Sequence, residues 1–181
     1  ELVSLETEAF ALMRSLLGND KGPVMVVDIG AVTADLSIIK DLTPVLDRSL
    51  DMGGMHLTRR LSEVLSVNIA HAEEIKKDLG LSLKGAQSPA IATLREMLNP
   101  VIHEIRYTAN LYGSPLQKII LTGGSAFLPG LSEYLQETLN IRVIIGNPWS
   151  HMTYPKNLEP ILQQIGPRFC VAAGLAMRDI I

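Results

Sequence analysis

Val24-Met25-Val26-Val27-Asp28-Ile29-Gly30-Ala31-Val32-Thr33-Ala34-Asp35-Leu36-Ser37-Ile38-Ile39 is the stretch that decides the fold. Two apolar, β-branched runs flank a polar break carrying Asp28, Gly30, Thr33 and Asp35. Val and Ile crowd a helix at χ1, so the pattern predicts two strands joined by a tight turn. Gly30 lets the backbone turn sharply or lets another group approach it. Consecutive N–H groups in such a turn can form an anion-binding concavity, to which Thr33 adds a hydroxyl. Asp28, at the end of an apolar strand, is the kind of oxygen ligand that orients a hydrated Mg²⁺. A plain hairpin with a polar turn explains the same residues, and this segment alone does not separate the two readings.

The 181 residues suffice for one domain or one large lobe of a bigger protein. Hydrophobic residues make up 47% and charged residues 19%, so a sizeable core can be buried. A net charge of −3 argues against a nucleic-acid partner held by a general basic field. Cys170 is the single cysteine, which excludes an internal disulfide and suits a reducing cytoplasm. Its apolar neighbours make it a small buried hydrophobe. No run approaches the ~18 apolar residues of a membrane span. The opening on Glu1, without an initiator Met or a basic leader, reads as a fragment of a longer protein.

Upstream, Leu5 to Leu17 is expected to be helical, with Phe10, Met13, Leu16 and Leu17 as its apolar stripe. Downstream, Asp41-Leu42-Thr43-Pro44 reads as a turn into a third strand, Val45 to Leu50. Gly53-Gly54 turns the chain from sheet into a helix reaching about Leu65; the pair also suits simple close packing, and His56 alone carries no ligand assignment. A second helix, Ala70 to Leu79, is stopped by Gly80. On it Glu73 shares a face with Lys76 and Lys77 at i,i+3 and i,i+4, which taken alone describes a solvated helix face. Leu81 to Ser88 reads as a short loop or reduced insertion. Pro89 to Tyr112 is a long helical pattern with Leu94, Leu98, Val101, Ile105 and Leu111 pointing inward and a break or kink expected at Pro100.

Leu116 to Leu121 is an apolar strand that runs into Thr122-Gly123-Gly124-Ser125, ahead of a helix over Leu131 to Leu139. Strand, Gly-rich turn and helix start bring backbone N–H groups towards a phosphate or nucleoside. Ile141 to Ile145 is a further strand, and Gly146 to Pro155 an irregular loop that reads as surface trim unless Trp149 anchors it. A short helix, Leu158 to Ile165, and a final one from Gly166-Pro167 through Arg178 complete the chain. Hairpins first and helix crossovers later imply an α/β domain with a mixed sheet covered on both faces.

This order resembles the second lobe of the actin-like ATPase superfamily, a ribonuclease H-like fold with a mixed five-stranded sheet and helices on both faces. The Asp28–Thr33 turn resembles its second phosphate loop, Gly123-Gly124-Ser125 its adenosine motif, and Ala72-Glu73-Glu74-Ile75-Lys76 its Ala-Glu-x-x-Lys helix. Within the superfamily, Glu8-Ala9-Phe10-Ala11-Leu12, Gly53-Gly54-Met55-His56-Leu57-Thr58, Leu128-Pro129-Gly130-Leu131, Asn147-Pro148 and Gly174-Leu175-Ala176-Met177-Arg178 are similar to the type IV pilus assembly PilM family.

The resemblance implies residues 1–20 as a helix arriving from a first lobe, and 21–181 as the second lobe with a reduced outer subdomain around 66–90. It implies ATP or ADP bound between the lobes. Asp28 would hold Mg²⁺ through water, Gly30, Ala31 and Thr33 would meet phosphates, Glu73 and Lys76 the ribose or base, and Gly123, Gly124 and Ser125 would flank the nucleoside. Ala31, Val32 and Ala34 stand where many actin-like ATPases have further glycines and a second Thr, which implies at most weak hydrolysis in the full-length protein and none by this lobe alone. A PilN-like inner-membrane protein would bind through the first lobe, with other pilus assembly proteins as further partners. The location implied is cytoplasmic, peripheral to the inner membrane. An FtsA-like division filament protein and a small-molecule kinase of the same superfamily are the alternative readings.

Overall fold

A computed structural model describes residues 5–81 and 88–178. The chain forms the expected mixed five-stranded sheet. Strands β1 (Val24–Ile29), β2 (Ala34–Lys40) and β3 (Thr43–Leu50) are joined by hairpins and pair antiparallel. Strand β4 (Lys118–Thr122) lies parallel to β1, and β5 (Val143–Ile145) parallel to β4. The order across the sheet is β3-β2-β1-β4-β5, which leaves β1 in the centre.

The alternation along the strands divides the core into two layers. Met25, Val27, Ile29, Leu36, Ile38, Ile119 and Leu121 face one side. There they meet Leu57 and Leu61 of α2 (Gly54–Leu65), Leu94, Leu98, Val101 and Ile105 of α4 (Pro89–Tyr112), and Leu131 and Leu135 of α5 (Leu131–Leu139). Val24, Val26, Ile39 and Ile120 face the other side, against Leu12 and Leu17 of α1 (Glu8–Leu17) and Cys170 of α7 (Cys170–Ala176). Strands apolar on both faces are what a sheet buried between helices requires. Each fully buried Leu or Ile contributes about 1.5–3 kcal/mol relative to exposure. The remaining helices are α3 (Ile69–Leu79), beside α2, and α6 (Glu159–Ile165).

Several expected boundaries shift. The β2–β3 turn is only Asp41-Leu42, both with positive φ (51° and 55°), and Pro44 lies inside β3. An edge strand tolerates proline because one side of its backbone needs no ladder partner. Helix α4 runs through Pro100 without interruption. Asn99 and Pro100 are exposed while Leu98, Val101 and Ile102 are buried. The carbonyl that Pro100 deprives of a partner belongs to exposed Glu96 and can bond to water, while the buried stripe holds the helix together. Leu111 is 56% exposed and Phe10 41% exposed, so neither points inward as expected. Ala9, Ala11, Leu12, Ser15 and Leu17 form the buried side of α1 instead. The final helical segment begins as one 3-10 turn, Gly166–Phe169, before α7. Most of the Leu81–Ser88 loop (82–87) lies outside the described residues.

Of the two readings of the 146–155 loop, the structure bears out the anchored one. Trp149 Nε1 donates to the Leu162 carbonyl at 2.6 Å and its ring lies 6.2 Å from that of Phe169. Helices α1 and α7 touch backbone to backbone: a Cβ at Gly174 would stand 1.8 Å from the Ala11 oxygen, and Arg14 Nε donates to the Gly174 carbonyl at 2.9 Å. Gly174→Val should force the two helices apart, at a cost of about 1–3 kcal/mol or more. At about 2–4 °C per kcal/mol the melting temperature should fall visibly in a circular-dichroism scan. An unchanged melting temperature would mean that α1 and α7 do not pack this closely.

Candidate functional site

Parallel strands end on the same edge of a sheet, so the turns that follow β1 and β4 are neighbours. Asp28 pairs across to Thr122, and the two turns begin just beyond. Gly123 has φ +84°, and a Cβ there would lie 2.5 Å from both Asp28 Oδ1 and the Ile29 oxygen. Only glycine fits. Gly123 N–H and the Thr122 hydroxyl both donate to the Pro167 carbonyl, at 3.0 and 2.8 Å. That ties the 166–169 turn to the end of β4 and brings Arg168 into the same region.

The start of α2 closes onto the β1–β2 turn. Gly54 N–H donates to the Gly30 carbonyl at 2.9 Å, and Met55 N–H to the Ala31 carbonyl at 2.8 Å. Two of the N–H groups that a helix start leaves without partners are thereby satisfied. The approach is so close that a Cβ at Gly53 would stand 2.6 Å from the Ala31 carbonyl carbon, and one at Gly54 would stand 2.8 Å from Ser125 Oγ. His56 serves as a cap: its Nδ1 accepts from Gly53 N–H at 3.1 Å.

Between α2, α3, the two turns and Arg168 lies a cavity of about 950 Å³. Helix α3 presents Ile69, Ala70, Glu73, Lys76 and Lys77 to it, a spacing that makes one helical face. Phe127 and Leu128 form an apolar wall, with the Arg168 guanidinium 5.8 Å above the Phe127 ring. A Cβ at Gly124 would meet nothing within 4 Å, so the backbone there borders open space. A flat apolar wall, a carboxylate and an open glycine turn suit a nucleoside.

Six of the nine residues singled out in the sequence border this cavity: Gly30, Ala31, Glu73, Lys76, Gly124 and Ser125. Asp28, Thr33 and Gly123 do not. The Thr33 hydroxyl donates to Asp35 Oδ2 at 3.0 Å, and Gly123 packs behind its turn. Burial pushes the Asp28 carboxyl up to about 6, with the negative charges of Glu8 and Asp35 adding to the effect. Among the described residues no three His, Cys, Asp or Glu side chains gather in a metal-holding group. Asp28 feels the charges of Glu8 and Asp35, but the described residues do not gather these carboxylates into a metal site by themselves.

The sequence reading left Gly53, Gly54 and Thr58 without a site role, although Gly-Gly-x-His-x-Thr was visible as a pattern. Lys76 Nζ reaches the Gly54 carbonyl at 2.9 Å, Thr58 Oγ1 at 2.8 Å and Glu73 Oε2 at 2.6 Å. The Thr58 hydroxyl is also within reach of Glu73 Oε2 and of the Gly54 carbonyl, and its one proton serves one of them at a time. Phe127, Gln164 and Arg168 were missed because only the tertiary fold carries them to the cavity.

A sequence profile of the type IV pilus assembly protein PilM family matches residues 4–180. The chain belongs to that family. A solved PilM-PilN type IV pilus biogenesis complex superposes with a TM-score of 0.82 at 29% identity, covering 99% of this chain and 53% of that one. MreB5 of Spiroplasma citri bound to ADP shares the fold at a TM-score of 0.75 and 18% identity, covering 98% of this chain and 60% of that one. The cell division protein FtsA of Helicobacter pylori is 25% identical over 98% of this chain and 42% of its own length. The chain thus spans about two fifths of that curated relative and about half of the matched chain of the PilM-PilN complex.

Burial pushes the Glu73 carboxyl up, but hydrogen bonds from Lys76 and Thr58 outweigh it and hold the group below its ordinary 4.5. A lowered folded value means that ionised Glu73 stabilises the fold above about 4.5, and that this contribution is lost as pH falls through the folded value. Glu73→Gln should therefore lower the urea midpoint at neutral pH, with the gap to the wild type closing on acidification. A gap that stays constant with pH would remove the ion pair from the account.

Proposed function

We propose that this chain forms one wall of an adenine-nucleotide cleft in an actin-like scaffold of the type IV pilus inner-membrane assembly platform. The observation that carries the reading is the cavity itself, which Glu73, Gly124, Ser125 and the Gly30-Ala31 turn line together. ATP or ADP would lie with its nucleoside between α3 and the Gly124-Ser125 turn and its phosphates towards the Ala31 N–H, since the Gly30 N–H donates to Thr33. Thr33 lies outside the cavity lining: its carbonyl accepts from Gly30 N–H and its hydroxyl donates to Asp35, so it shapes the turn. Bound Mg²⁺ would supply charge neutralisation of the phosphates. Asp28 would face that ion through a water molecule.

The full-length protein would complete the cleft with a second lobe and hold its nucleotide with little turnover. Family membership and the fold shared with the PilM-PilN complex support a PilN-like inner-membrane partner, bound through that other lobe. Such partners would hold the protein in the cytoplasm, peripheral to the inner membrane; no described helix is long and apolar enough to cross a membrane. The FtsA relatives favour a second reading, a division filament protein. Capture of a PilN-like N-terminal peptide by the full-length protein separates the two.

Titration calorimetry of ATP into the full-length protein tests the nucleotide reading. Gly124→Val adds its side chain to open space and should leave melting unchanged while weakening ATP binding roughly tenfold or more, the loss expected when bulk enters a ligand's volume. Equal ATP affinity in Gly124→Val and wild type would place the nucleotide elsewhere. Asp28→Ala should weaken binding only when Mg²⁺ is present, and equal affinity in both proteins would sink the role given to Asp28.

A further inference from the structure

Away from the cavity, the sheet has two edges. At β5 the edge is three residues long, and Val143 N–H already donates to Gln136 Oε1 at 3.1 Å. At the other edge β3 runs for eight residues and, among the described residues, pairs only with β2. Such a strand keeps a row of N–H and C=O groups without ladder partners. Pro44 and the register shift at Ile38 and Ile39 interrupt the row near its start, whereas Leu46 to Leu50 pair with β2 in unbroken register.

The two faces of this edge differ in chemistry. On the α4 side, the Arg48 guanidinium is held by Glu104 at 2.7 Å and lies 5.2 Å over the Tyr107 ring. Tyr107 is 47% and Leu111 56% exposed, one helical turn apart on the same side of α4. Leu46 and Leu50 pack into the α4 layer, so Asp47 and Ser49 point to the opposite face. Asp35 stands across the ladder from Ser49 on that face, and Asp51, just past the strand, is exposed. Lys21, Lys40 and Asp41 sit together at the far, hairpin end. The regular part of the edge is thus acidic on one face and aromatic and aliphatic on the other.

We propose that the outer edge of β3, with the Tyr107-Leu111 side of α4, receives an extended basic segment of a partner protein as a sixth strand. The open ladder positions the segment, and alternation along a strand sends its side chains to both faces in turn. Lysines or arginines meet Asp35, Asp47 and Asp51 on one face, and apolar side chains cover Tyr107 and Leu111 on the other. The segment that fits therefore alternates basic and apolar residues. A second copy paired edge to edge would bring like carboxylates together, which charge complementarity disfavours.

The test is fluorescence anisotropy on the full-length protein with a labelled, end-capped peptide alternating lysine and valine over about six residues, the length of a common strand. Saturable binding is expected, roughly tenfold or more tighter than to the glutamate–valine counterpart. Two further lysine–valine peptides carry N-methyl groups along one backbone edge or along the other. A strand added through one edge loses binding with one of them and keeps it with the other, whereas attraction by charge alone treats them equally. Asp47→Lys should weaken the lysine peptide roughly tenfold and Leu111→Ser several-fold, with melting unchanged because both side chains are exposed. Absence of saturable binding, equal affinity for the two N-methylated peptides, or wild-type affinity in either variant overturns the proposal. So does slow hydrogen exchange at every β3 amide of the full-length protein without peptide, which would mean that a second copy or the other lobe already covers the edge.

Discussion

The parallel pairing of β1 with β4 is the constraint on which the rest of the structure depends. It sets Asp28 opposite Thr122 and sends both strands off the sheet at one edge. Had β4 run the other way, the Gly123-Gly124 turn would lie a strand's length from Gly30, and no cavity could form between them. Parallel strands need a crossover of some length. Here the chain passes through β2 and β3 and then crosses by α2, α3 and α4, of which the first two supply the cavity's other wall. The connection demanded by the sheet is thus also the connection that builds the site.

Two partly or wholly buried charges near that edge are handled in opposite ways. Lys76 is surrounded by acceptors, and taking its charge out of water is offset bond for bond. Asp28 is given no counter-charge; burial and two further carboxylates raise its proton affinity instead. One side chain is finished by the fold. The other lowers its cost only by taking up a proton or by meeting positive charge from outside the described residues.

Much of this was legible in the sequence because it rests on local chemistry. β-branched runs on either side of Gly30 placed the outer ends of the first hairpin to within a residue, and Gly80 and Gly113 ended α3 and α4 as helix-stopping glycines do. Glu73 and Lys76 could be paired because a helix fixes their spacing. What could not be read depends on distant partners. Phe10 and Leu111 fit their helical stripes by period, but which side of a helix meets the sheet is decided by the elements that pack on it. Pro100 breaks a local rule that the burial of Leu98, Val101 and Ile105 overrides. Arg168 reaches the cavity only because Thr122 and Gly123 both bond to Pro167.

The seam between α1 and α7 bears on how the chain acquires its shape. Arg14 bonds to Gly174 across 160 residues, and Gly174 leaves no gap against Ala11. Strands β1, β2 and β3 can pair as soon as they are made, but the layer on their other face cannot close until α7 exists. At about 5–20 residues per second of synthesis, Leu12 and Leu17 wait roughly 8–30 seconds for the helix that helps to cover them. Loop closure over such a separation is among the slowest contacts a domain makes. The second layer is therefore the last to assemble, and during synthesis it leaves an apolar surface open to chaperones.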